Sequence, residues 1–124
     1  MASTNRPLSP HLQVYRLPLT GLISITHRAT GVFLTLGTLL LVCWLMSAAA
    51  GAESFASVQG FMASGLGMLI LIGWTFALFF HLCHGVRHLI WDAGSSFEKE
   101  TMDQYAMVEV GIAAVLTFFL WALA

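Results

Sequence analysis

Three long apolar stretches decide what this chain can become. They run roughly from Leu22 to Ala50, from Phe61 to Trp91 and from Ala106 to Ala124. Each is long enough to cross a hydrocarbon core, which takes about 20 residues of helix. Within lipid every backbone N–H and C=O must be paired inside the segment, so the spans are helices and not open strands. The expected fold is all-α: one membrane domain over residues 1–124 with three transmembrane helices. A composition of 58% hydrophobic and 9% charged residues excludes a soluble domain, which needs more polar surface to cover its core. Five Lys plus Arg and a net charge of −1 cannot build a phosphate-tracking patch, so no nucleic-acid partner is expected. Cys43 and Cys83 lie in apolar runs without CxxC spacing and read as small buried hydrophobes.

The opening "MASTNRPLSPHLQVYRLP" is polar and proline-punctuated. It has neither the apolar core and small-residue cleavage site of a signal peptide nor the Arg-rich character of a transit sequence. Residues 48–60 are small and polar and read as the first connection; residues 92–105 are charged and read as the second. Arg6, Arg16 and Arg28 precede or begin the first span, and Arg87 and Lys99 flank the second connection, whereas the first connection carries Glu53 and no cation. The positive-inside rule therefore expects residues 1–20 and the second connection in the cytoplasm, and the first connection and C-terminus in the periplasm. The expected location is a bacterial inner membrane.

In that arrangement the start of the first helix and the end of the second share one membrane depth. Both are polar: "SITHRATG" (24–31) and "HLCHGVRH" (81–88). Helical spacing puts His81, His84 and His88 on one face within roughly 60°. Ser24, His27, Arg28 and Gly31 share a face on the first helix by the same spacing. Such groups facing hydrocarbon cost a few kcal/mol each, so both stripes are expected to point inward and form one site. Gly31 and Gly85 remove side chains there, admitting close helix contact or a flat ligand.

A neutral imidazole suits axial ligation of haem iron, and haem propionates need cationic partners, for which His27, Arg28 and Arg87 are candidates. Histidines of one helix cannot ligate opposite faces of a planar macrocycle. The other intramembrane histidine, His27, lies beside Arg28 near the headgroups, a better place for a propionate than for iron. A partner chain is therefore expected to donate the second ligand. Blander roles stay open: His88 as an interfacial residue, Arg87 snorkelling to the surface, His84 as a pocket residue or a spectator. Ser24 and Arg28 suit a carbonyl-bearing ligand such as a quinone. Glu109, just inside the third span, is expected to snorkel to the surface.

The pair "S-x-x-H-R-x-x-G" and "H-x-x-x-G-x-R-H-x-x-W-D", within "RPLSPHLQVYRLPLTGLISITHRATG" and "HLCHGVRHLIWD", resembles the cytochrome b556 membrane-anchor subunits of succinate dehydrogenase, respiratory complex II. The likeness covers essentially the whole chain. It implies that His81 is the axial ligand of haem b and that a second anchor subunit supplies the opposite ligand. It implies that Ser24 and Arg28 belong to a ubiquinone site, and that His27 and Arg28 lie near the haem propionates, with Arg87 and His88 at the haem edge. Implied partners are the second anchor, an iron–sulfur subunit and a flavoprotein that oxidises succinate. The chain would be a subunit of an enzyme and not itself catalytic. It departs from the family pattern at His84, where related proteins tend to carry apolar or amide residues. The alternatives are the anchor of a quinol:fumarate reductase and a haem-free scaffold whose histidines only bridge helices. A small metal-handling protein using His81, His84 and Cys83 is a weaker third.

Overall fold

The computed structural model describes residues 15–124, so Arg6 lies outside the described residues. Four helices follow in order: α1 Leu19–Ala50, α2 Ala52–Met62, α3 Gly65–Asp92 and α4 Lys99–Leu123. Helices α1, α3 and α4 are each long and apolar enough to cross a membrane. The 32 residues of α1 extend about 48 Å at 1.5 Å per residue, well beyond a hydrocarbon core of about 30 Å.

Local chemistry sets the helix ends. Pro18, with φ −66°, precedes α1, and its carbonyl accepts from Leu22 N–H at 3.1 Å. Gly51, at φ +117°, takes a backbone conformation that side chains disfavour and lets α1 pass directly into α2. The 48–60 connection is therefore mostly helical. Trp44 Nε1 donates to Gln59 Oε1 at 3.1 Å and fastens α2 back onto α1. Ser64 caps α3, its Oγ accepting from Gly67 N–H at 3.2 Å. Helix α4 starts at Lys99, before the apolar boundary near residue 106, because its first turns carry polar residues outside the greasy stretch.

Threonines inside the spans satisfy themselves. Thr26, Thr35 and Thr75 donate to carbonyls four residues back in their own helices, at 3.0, 2.9 and 2.8 Å. These three hydroxyls are thereby paired inside their own helices.

Helices α3 and α4 form the densest contact. Ala77, Phe80, His84 and Arg87 on α3 meet Ala106, Glu109, Ala113 and Thr117 on α4, each set repeating at three- and four-residue steps. Ala106 and Ala113 are fully buried, and their small size lets the two backbones come close. Helix α1 buries only Ile23 and Ser47 among the described residues and reaches α3 through glycine positions. A Cβ at Gly37 would overlap the Trp74 indole, so the glycine is what seats that ring. Much of α1 is apolar and open, including Val32, Leu36, Leu39 and Met46. Cys43 is among these exposed positions and Cys83 is half-buried, so neither is the buried hydrophobe expected; both are free thiols.

Candidate functional site

The two polar stripes meet at the end of the bundle where α1 begins and α3 ends. His27 stacks on His81 with ring centroids 3.9 Å apart and 16° between planes. Gly31 makes the approach possible, since a Cβ there would lie 3.1 Å from His81 Cε1. Two oxygens of α1 meet His81 Nδ1: Thr30 Oγ1 and the His27 carbonyl, each at 3.2 Å. Thr30 spends its own proton on that same carbonyl, at 2.8 Å. A carbonyl only accepts, so His81 Nδ1 must carry the hydrogen. The lone pair of His81 is then on Nε2.

His84 lies deeper, with no exposed surface. Its Nδ1 is 3.0 Å from Glu109 Oε1, and Arg87 Nη1 donates to the same oxygen at 3.2 Å. Arg87 Nη2 also donates to the Met102 carbonyl, and its guanidinium stands 4.6 Å from the centre of the Trp91 ring. Glu109 is 4% exposed, so it does not snorkel to the surface as its position near a helix end suggested. It falls on the α4 stripe that packs against α3, and there it meets the two groups able to neutralise it. An ionised carboxylate inside a membrane bundle persists only with such partners.

His88 is exposed and stands edge-on to His84 and Trp91, at 4.9 and 5.0 Å between ring centres. His27 is 4.6 Å from His84 and 5.6 Å from His88 by the same measure. Ser24 is half-buried on α1, and Arg28 is exposed. The structure thus gathers His27, His81, His84 and His88 in one place, leaves Arg28 open at the rim, and commits Arg87 to α4.

Thr30 is the residue that sequence reasoning passed over, and Glu109 the one it placed at the surface. Thr30 was hidden because threonine in a membrane helix usually bonds its own backbone. Glu109 left a clearer signal: in adjacent antiparallel helices, an acid early in α4 lies at the depth of a base late in α3.

Residues 2–120 match the family of succinate dehydrogenase/fumarate reductase transmembrane subunits. The chain is 42% identical to a succinate dehydrogenase cytochrome b556 subunit of Paracoccus denitrificans, over 94% of this chain and 92% of the relative. It is 34% identical to the protein of that name in Rickettsia felis, over 94% of this chain and 90% of the relative. With a mitochondrial succinate dehydrogenase cytochrome b560 subunit of Sus scrofa it shares 33% identity, over 90% of this chain and 72% of the relative.

Proposed function

The chain belongs to the succinate dehydrogenase/fumarate reductase transmembrane subunit family and is a multi-pass membrane protein of the succinate dehydrogenase type, and from that premise we propose that it half-ligates haem b through His81 and helps form a ubiquinone site. The relatives are named as cytochromes b, and the geometry around His81 fits that group. The observation that carries the reading is the pair of α1 oxygens on His81 Nδ1. An imidazole whose one nitrogen donates to a fixed oxygen presents the other as an oriented, more basic ligand.

Position separates His81 from its neighbour. His84 also has a free Nε2, but it is enclosed by the chain's own helices. His81 is only half-buried, so iron shared with a ligand from a second anchor subunit can reach it. A Cβ at Gly85 would meet nothing within 4 Å, leaving space beside His81 for a flat group. Haem, when bound, supplies one-electron storage; the chain supplies the ligand and charge around it.

Arg28 is the open cation of the site and suits either a propionate or a quinone carbonyl. His27 and His88 are placed to hydrogen-bond the haem edge. Arg87, held by Glu109 and Met102, acts from behind through the field it sets up. Ser24 and Arg28 would polarise the quinone oxygen as negative charge develops there. The iron–sulfur and flavoprotein subunits would dock on the cytoplasmic face with the N-terminus, and the C-terminus would be periplasmic in a bacterial inner membrane.

A reduced-minus-oxidised spectrum of the assembled complex tests the reading. A b-type α-band is expected; its absence would leave the chain as a haem-free scaffold. His81→Tyr should abolish or displace that band, whereas His84→Leu should leave it in place. Arg28→Leu should suppress quinone reduction while succinate oxidation with an artificial acceptor survives.

A further inference from the structure

Resting on the assignment of haem b to His81, we propose that Glu109 is a positioning residue for the haem pocket: it matches the charge of Arg87 and so holds down the reduction potential of the haem. Arg87 is 4% exposed and lies within a membrane-spanning helix. A guanidinium keeps its charge in any surroundings, so neutrality there cannot come from loss of a proton and has to come from an anion. The Met102 carbonyl accepts from Arg87 but carries no charge. Among the described residues the carboxylate paired with Arg87 is that of Glu109, itself 4% exposed.

The seat of the carboxylate points the same way. Its Oε1 takes both donors, Arg87 Nη1 at 3.2 Å and His84 Nδ1 at 3.0 Å. Glu109 Oε2 and Arg87 Nε, both buried, have no hydrogen-bond partner. A pair built for strength alone would close the two-pronged guanidinium–carboxylate fork. Here one oxygen stands instead between the arginine and the imidazole. From His84 the path to the iron ligand is short: its ring lies 4.6 Å from that of His27, which stacks on His81 at 3.9 Å.

The sign of the effect follows from charge. Ferric haem carries one positive charge more than ferrous haem, so an unmatched cation nearby favours the ferrous form. With Glu109 in place only the weaker field of the ion pair acts on the iron. A unit charge acting across roughly 10 Å at an effective dielectric constant of about 20 moves a one-electron equilibrium about tenfold, or about 59 mV.

The test is a redox titration of the b-type band in the complete complex in detergent. Glu109→Gln removes the charge and keeps the shape, and it should raise the ferrous-to-ferric ratio at fixed potential about tenfold. Glu109→Asp should stay near the wild-type ratio, and Arg87→Gln combined with Glu109→Gln should return to it. An unchanged ratio in Glu109→Gln with its band intact would overturn the proposal, as would a double variant that stays with the single one, since loss of packing would displace both alike. Where Glu109→Gln does not assemble, Arg87→Gln is compared with the double variant. The carboxylate left alone should then lower the ratio, and equal ratios sink the proposal. Absence of the band from the wild-type complex would refute haem on His81 instead, which keeps the two failures apart.

Discussion

The two seams of this bundle are built differently. Between α3 and α4 the contact is tight and polar: alanines bring the helices together, and Arg87 and His84 share one buried carboxylate oxygen of Glu109. Between α1 and α3 the contact is sparse, made by glycines, one stacked imidazole pair and single hydrogen bonds to His81. The second seam leaves His81 half-buried and most of the α1 surface bare.

The largest effect should come from breaking the polar seam. Glu109→Leu strands the Arg87 cation and should cost about 3–5 kcal/mol in the assembled complex, read from thermal denaturation in detergent. Replacing Arg87, His84 and Glu109 together with apolar residues of similar volume should recover most of that loss. A neutral Glu109→Leu would show that the seam does not rest on charge pairing.

Gly37→Leu comes next. It displaces the Trp74 indole and should cost about 1–3 kcal/mol. Wild-type stability in this variant would mean that α1 has no fixed seat on α3. A smaller change is expected for Thr30→Val, which removes one hydrogen bond to His81 Nδ1 and should cost about 1 kcal/mol. Its more telling readout is the low-spin haem signal by electron paramagnetic resonance, which should shift without disappearing; an unchanged signal would separate Thr30 from the iron ligand. The smallest effect belongs to the exposed Lys99–Asp103 pair, 3.0 Å apart, where Lys99→Ala should stay within about 0.5 kcal/mol. A larger loss there would mean that the start of α4 is covered in the complex.

The sparse seam was legible in the sequence and the tight one was not. Ser24, His27, Arg28 and Gly31 declare a face by spacing alone, as do His81, His84 and His88, and topology brings the two faces to one depth. The three long helices were readable from hydropathy, but Phe61, the expected start of the second, belongs to α2, and polar turns remain helical at 52–62 and 99–105. Glu109 was misjudged because its position near a span end fits two outcomes equally. Whether it snorkels or turns inward depends on which side of α4 faces α3, and the weak amphipathic signal of a membrane helix does not fix that rotation. His84 was opaque for the same reason, since its purpose lies on a helix not yet oriented.

The sharing of one carboxylate oxygen by His84 and Arg87 has a consequence for how this sequence can change. His84 and Glu109, 25 residues apart, meet at 3.0 Å, so a substitution at either changes what the other is paired with. An ancestor with an apolar residue at 84 could accept an acid at 109 only by leaning on Arg87 alone. A descendant that loses the acid inherits a base in the membrane without a counterion. Neutral drift at either position therefore has to pass through the other, and the order of the steps is constrained by which charge can be left alone in lipid.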